Sequence, residues 1–510
     1  MPAMNLIATP ARNTCHSPVG SRLIWPGAIV VGGATFLVID LQRPVTLLFL
    51  VLPPLCFAMF FAAIYGLGKL RRLRKQLAWW HGVWLLLLLS SLVFRIRDMH
   101  AIESQVVDVW AVYRILLVAI SVLLLLFCTF KRSGWTCVLV RGLTGALAAY
   151  VLVCIVSTLW SVYPAWTLYK SLEYFVDLAL IAAVLATVRS VESYKTLFDW
   201  TWVLATGLLA TVWAGALLWP DRAFPINGEL LRVRIAGVVP AQDPNNVGEG
   251  AAILAIVALT RLQRRAIRAQ RLFYLVVFIV SLVTLIVSQT RSAIVGFLLG
   301  ALLVLVFSRS YKALTVIALA IVLLVSFTSS SSIAKTFWQR GESQDAVEGF
   351  SGRLPVWQFG WQSFVNQPLT GYGAYAAGRF SVITGIVDPD WSSTLSDYVE
   401  ILVGTGACGL IPIVVALVGS WWLLVRTCRS GNRQTLPYQL AVEAIGVLAI
   451  ITTRSFFSVG MIWHPAQAFL LVAGYAEFLR RMSRYKSMPI APRRLFAFQP
   501  PLIQIRNSDV

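Results

Sequence analysis

SDYVEILVGTGACGLIPIVVALVGSWWLLV (396–425) decides how the rest of the chain is read. From Ile401 to Val425 it holds no charged residue. A helix crossing the hydrocarbon of a bilayer needs roughly 20 apolar residues, and this run exceeds that. Its glycines and Pro412 are tolerated in a span, where neighbouring helices can satisfy the freed backbone. The run therefore reads as a membrane-spanning helix with two acids, Asp397 and Glu400, at its mouth.

The same texture extends outward. Of 510 residues, 58% are hydrophobic and 13% charged, about half the charged share of an ordinary soluble domain. A water-soluble enzyme, a disordered scaffold and a disulfide-stapled secreted domain are excluded. Apolar runs recur at 24–41, 45–68, 79–94, 108–130, 139–160, 172–188, 200–219, 247–260, 272–289, 292–307, 313–327, 396–425, 437–453 and 460–479. They are too long and continuous for barrel strands. Backbone groups in lipid must pair within their own segment, which makes the runs helices. The expected fold is an all-α polytopic integral membrane protein with about 12–14 transmembrane helices and one large outer loop.

The net charge of +21 is read as topology and lipid anchoring, not as nucleic-acid binding. With the N-terminus inside, the basic segments KLRRLRKQ (69–76), RLQRRAIRAQR (261–271), RTCRSGNRQ (426–434) and RRMSRYK (480–486) all fall on the inner side. That places both termini in the cytoplasm. It gives a tail over 1–23, spans over 24–327, an outer loop over 328–395, spans over 396–480 and a second tail over 481–510. Residues 1–23 lack the apolar core of a cleavable signal. None of the seven cysteines has CxxC spacing or falls in an outer loop, so neither a redox motif nor a disulfide is expected.

Two outer segments stand out, 220–246 and 328–395. An unstructured loop as long as the second is uncommon unless it has a function. Within it, SGRLPVWQFGWQSF (351–364) predicts a surface helix, with Trp357, Trp361 and Phe364 sharing a face. Fourteen basic residues lie on the side the topology rule disfavours, among them Arg232, Arg234, Arg291, Arg353, Arg379 and Arg454. Guanidinium groups gathered at one surface suit a diphosphate, which they grip with paired hydrogen bonds. The alternative is pairing with carboxylates or lipid headgroups.

Asp397 and Glu400 share a helix face. Either could take a proton from a hydroxyl, or both simply stabilise the helix N-terminus. Glu173, Asp177, Glu249 and Glu443 fall at or within spans and read either as proton relays or as partners for arginine. His464, beside Pro465, reads as a local hydrogen-bonding residue. Trp357, Trp361 and Trp391 are either sugar-stacking platforms or interfacial anchors. Gly296 and Gly300 suit close helix packing. No phosphate-binding loop, nucleophile elbow or zinc motif occurs, and no cofactor or metal is expected.

Four stretches resemble the O-antigen ligase and polymerase superfamily of bacterial envelope glycosyltransferases. They are GVVPAQDPNNVGEGAAIL (237–254), SQTRSAIVGFLLG (288–300), GRLPVWQFGWQSFVNQPLTGYG (352–373) and SDYVEILVGTGACGLI (396–411). The resemblance implies a GT-C-like fold in the bacterial inner membrane. It also implies metal-independent transfer of oligosaccharide from undecaprenyl diphosphate to a growing polysaccharide at the periplasmic face. By motif, Arg291 and Arg353 would hold the diphosphate; Arg232, Arg234 and Trp357 join the substrate-binding set from their placement on the outer side. Asn245 and Asp397 would sit at the cavity mouth, with Asp397 and then Glu400 as the catalytic carboxylates. Where the family's ligases carry a histidine before this motif, the chain has Leu395. That favours a polymerase of exopolysaccharide or O-antigen repeats, working with membrane lipid, a chain-length regulator and a flippase. The alternatives are a ligase moving polymer to lipid A core, a transporter or flippase, and a non-catalytic envelope partner.

Overall fold

The computed structural model describes residues 76–92, 109–129, 134–224, 234–264, 268–310, 349–383, 393–464 and 466–487. The long helices are α1 (Trp79–Leu92), α2 (Val109–Thr129), α3 (Gly142–Val156), α4 (Pro164–Thr187), α5 (Val191–Leu218) and α6 (Pro244–Leu262). They continue with α7 (Arg268–Ser288), α8 (Arg291–Ser308), α9 (Arg353–Asn366), α10 (Asp397–Ser430), α11 (Leu436–Arg454) and α12 (Gln467–Ser487). A two-residue antiparallel ladder, Gly237–Val238 against Ala241–Gln242, precedes α6. Among the described residues, seven helices are long and apolar enough to cross a membrane. The protein is an all-α polytopic membrane protein. Eleven of the candidate spans coincide with these helices, and those at 24–41, 45–68 and 313–327 lie outside the described residues.

Several helices outrun their apolar cores. The run at 172–188 belongs to a helix starting at Pro164, and the run at 200–219 to one capped by Ser190. The added turns carry charges that find partners, as described below.

The core centres on α6 and α11, which lie antiparallel. From Leu440 to Ile451 every side chain of α11 is buried, as is the stretch from Ala251 to Leu262 in α6. The expected Gly296–Gly300 contact is real: a Cβ on Gly300 would lie 2.8 Å from the Gly446 carbonyl oxygen, and one on Gly296 3.2 Å from the Ile450 Cα. α8 thus lies backbone-to-backbone on α11. At the end of this pair away from Asn245, Arg261 donates to both oxygens of Glu443 and to Asp199, and Arg264 joins Glu443 at 2.6 Å.

Near its start α10 is broken. Gly406 sits at φ 59°, ψ −154°, and the helix hydrogen bonds missing there are supplied by the segment after α9. Tyr372 and Gly373 donate their N–H groups to the carbonyls of Val403 and Gly404 at 2.9 Å. Ala407 and Cys408 donate theirs to Pro368 and Leu369 at 2.8 and 3.3 Å. Non-helical backbone at membrane depth survives only when buried in protein and re-paired. A Cβ on Gly406 would lie 2.6 Å from the Leu369 carbonyl, and one on Gly371 (φ 61°) 2.5 Å from that of Val403. The two sequence stretches TGYG (370–373) and VGTG (403–406) are thus the two sides of one seam.

Candidate functional site

One end of α6, α8 and α11 gathers most of the residues singled out in the sequence. Asp243 caps α6, its carboxylate accepting from the Asn245 N–H at 2.7 Å. The cap fixes Asn245, whose side-chain oxygen accepts from Arg234 Nη2 at 2.6 Å. Arg234 Nε also donates to the Ser288 carbonyl at 3.1 Å, tying this corner to the tight reversal between α7 and α8. Thr290 ties it again by donating to the Pro244 carbonyl at 3.1 Å.

From the reversal, Arg291 reaches out. Its Nη2 donates to Ser351 Oγ at 3.0 Å, and Arg353 Nη1 donates to the Phe350 carbonyl at 2.9 Å. Phe350, Ser351 and Gly352 all have φ between 54° and 78°. Two consecutive non-glycine residues in that region cost about 1–2 kcal/mol each. Arginine hydrogen bonds on both sides hold the turn in place. Arg291 and Arg353 are thereby brought to one corner.

Arg454, at the end of α11, is the cation the expected binding set had left out. It is 2% exposed. Its Nη1 donates to the Asn245 carbonyl at 2.5 Å and its Nη2 to Ser458 Oγ at 2.8 Å. Its Nε lies 3.2 Å from Glu249. Asn245 therefore joins two arginines, Arg234 through its side chain and Arg454 through its backbone. Arg232 and Trp391 lie outside the described residues.

The two expected catalytic carboxylates are both sealed, Asp397 at 0% and Glu400 at 1% exposure. Asp397 accepts from the Ser455 hydroxyl at 2.8 Å, the Met461 N–H at 2.9 Å and the Gly460 N–H at 3.2 Å to each oxygen. Its own N–H donates to the Ser455 carbonyl at 2.9 Å. Its geometry is that of an anchor binding loop 455–461 to the start of α10. Glu400 accepts both the N–H and the hydroxyl of Thr394 at 3.1 and 2.9 Å, and Gly378 packs against its carboxylate. Neither carboxylate faces an open space.

Trp357 is half-buried and donates to the Thr394 carbonyl at 3.1 Å. With Phe350 and Phe457 it forms an aromatic triangle with ring spacings of 5.9–6.0 Å. The helix expected over 351–364 is present as α9, and its buried face is Val356, Gly360 and Ser363. Trp361 points outward, 58% exposed. The aromatic face expected to be shared by Trp357 and Trp361 is divided, because Gly360 is what lets α9 pack on Val399 and Val403 of α10.

A second polar cluster lies across loop 455–464. Glu173 receives Arg114 at 2.7 and 2.9 Å, Lys170 at 2.8 Å and Tyr169 at 2.6 Å. His464 was expected to bond locally. It instead bridges Asp177 and Ser90, each at 2.7 Å and each from a distant helix. Arg379 lies over Trp166 and Phe380, 5.3 and 5.7 Å from their ring centres. Of the acids placed within spans, Glu173, Glu249 and Glu443 all meet arginine.

Residues 275–414 match the family described as O-Antigen ligase. No curated protein matches the chain. The matched stretch includes Arg291, Arg353, Trp357, Asp397 and Glu400, and leaves Arg234, Asn245, Glu249 and Arg454 outside it. It supports the O-antigen ligase and polymerase superfamily as the one this chain resembles. It also supports a glycosyltransferase-like role in polysaccharide assembly at a membrane.

Proposed function

We propose that the protein is a polysaccharide polymerase of the bacterial inner membrane. It joins oligosaccharide repeats carried on undecaprenyl diphosphate into exopolysaccharide or O-antigen at the periplasmic face. The observation that carries this is the convergence of Arg234, Arg291, Arg353 and Arg454 on one end of the bundle, beside the aromatic triangle. The far end carries Arg264, Arg426, Arg429, Arg433, Arg480 and Arg481. By the positive-inside rule that end is cytoplasmic, which puts the arginine cluster outside.

In the transfer, the acceptor hydroxyl attacks the anomeric carbon of the donor sugar. The bond from that carbon to the phosphate oxygen breaks, and the diphosphate leaves with the bonding electrons. Negative charge grows on the diphosphate, and guanidinium groups already fixed by hydrogen bonds stabilise it without reorganising. Trp357 and its aromatic neighbours offer a stacking wall for the sugar. Asp397 serves by holding loop 455–461 against α10.

The ligase reading is favoured by one observation, the description of the matched family. The intermediates separate the two. Loss of a polymerase accumulates single lipid-linked repeats, and loss of a ligase accumulates long lipid-linked chains. Arg353→Ala is expected to abolish high-molecular-weight polysaccharide at a normal protein level. Normal polymer in that variant would remove the arginine cluster from the reaction.

A further inference from the structure

Most buried carboxylates among the described residues are filled by hydrogen bonds. Glu443 takes hydrogen bonds from Arg261, Arg264 and Trp202. Glu477 takes them from Arg480, Arg481 and the Leu143 N–H. Glu173 and Asp397 are filled in the same manner. Each of these acids is a structural anion with its lone pairs occupied.

Asp177 and Glu400 each leave one oxygen without a donor; among the buried and partly buried acids of the described helices, Glu249 goes further. No described residue donates a hydrogen bond to its carboxylate. Its one charged neighbour is Arg454, with Nε 3.2 Å away, and that N–H makes no hydrogen bond among the described residues. The contact is Coulombic and poorly aligned, although Arg454's two terminal nitrogens are well held. The cation is fixed and the anion is not. The Glu249 side chain is also 21% exposed, where that of Arg454 is 2% exposed.

Its position is equally specific. Glu249 lies one helical turn after Asn245 on the same face of α6, so it stands in the wall that holds Arg234 and Arg454. Opposite it is the bare backbone of Gly460, where a Cβ would sit 3.5 and 3.7 Å from the two carboxylate oxygens. A glycine here thus leaves a methyl-sized space that both oxygens border. Asp397 and Glu400 offer no such space, and Leu395 stands where the family's ligases have a histidine.

We infer that Glu249 is the base of the transfer, an assignment that rests on the transferase reading above and names its missing proton acceptor. As the acceptor oxygen bonds to the anomeric carbon, its proton passes to the Glu249 carboxylate. The electron pair of the breaking carbon–oxygen bond departs on the diphosphate. Before substrate arrives, Glu249 and Arg454 balance each other's charge. An incoming diphosphate gives Arg454 a better-aligned anion. The Glu249 carboxylate is then left facing the acceptor hydroxyl.

The test uses the full chain reconstituted in lipid vesicles, with two readouts. Binding is measured with undecaprenyl diphosphate alone. Turnover is measured as release of undecaprenyl diphosphate from the lipid-linked repeat extracted from a strain lacking this protein. Glu249→Gln is expected to bind undecaprenyl diphosphate at least as tightly as wild type, since an anion has left the arginine cluster. Its turnover should fall by about 10²–10⁴-fold, the usual loss on removing a base. Turnover within a few-fold of wild type would overturn the assignment. So would parallel loss of binding and turnover, which would make Glu249 only a prop for Arg454. Should Glu249→Gln fail to accumulate, Glu249→Asp keeps the charge but withdraws it. Reduced turnover with intact binding then supports the base, and unchanged turnover refutes it. Failure of the wild-type protein to bind undecaprenyl diphosphate would instead strike the arginine site itself.

Discussion

Replacing Asp397 by Asn separates a carboxylate that anchors a loop from one that accepts a proton. In the structure its second oxygen takes Ser455, Met461 and Gly460, while its first takes only the shared Gly460 N–H. An asparagine with its oxygen in the second position keeps three donors. Its amide then faces the Gly460 N–H, and the charge is lost. Hydrogen bonds to a charged group contribute about 1.5–3 kcal/mol and neutral ones about 1. A carboxylate in the first turn of a helix adds roughly 0.3–1 kcal/mol. Asp397→Asn should therefore cost about 1–3 kcal/mol. Asp397→Ala leaves buried donors unmet, at roughly 1–3 kcal/mol each and not strictly additive. The assay pairs the melting temperature in detergent with polymer synthesis in vesicles. The anchor geometry requires a graded loss of stability, Asn milder than Ala, with Asn retaining a sizeable part of the activity. An Asn variant that melts like wild type yet loses activity by about 10²–10⁴-fold would refute this and make Asp397 the base.

Two further outcomes test the fold around the site. Glu443→Ala removes the shared anion of Arg261 and Arg264 from the core. Breaking a buried ion pair from one side costs about 3–5 kcal/mol, so the variant should accumulate poorly in membranes, as seen by immunoblot, with Glu443→Gln intermediate. Gly378→Ala would put a methyl 2.2 and 2.5 Å from the Glu400 oxygens. The sealed carboxylate has nowhere to move, and the melting temperature should fall by the equivalent of about 1–3 kcal/mol of overpacking.

The spans were legible because lipid imposes one chemistry on every residue that touches it. Their ends were not. Lys170 and Glu173 make the start of α4 look like an aqueous loop, although Arg114 from another helix and the pair's own contact neutralise them inside the protein. The arginine cluster was partly legible. Arg234, Arg291 and Arg353 stand out against the topology rule, and Asn245 by its place in a recurring motif. The roles of the acids could not be read locally. Asp397's partners come from residues 455–461, and Glu249 is distinguished only by the hydrogen bonds it lacks. The one sequence signal for Glu249 was an acid inside an apolar helix four residues beyond Asn245, a position that turns inward. His464 misled for the same reason, since Ser90 and Asp177 reach it from remote helices.

The seam between residues 368–373 and the interrupted α10 constrains how a long lipid can get in. Peeling that strand away would break four hydrogen bonds and leave eight main-chain groups unpaired at a depth where little water is on hand to receive them, each at a cost of several kcal/mol. What resembles a surface turn is therefore a fixed part of the bundle. Under the proposed transferase function, any doorway for a polyprenyl chain and any exit for the glycan must open along some other wall.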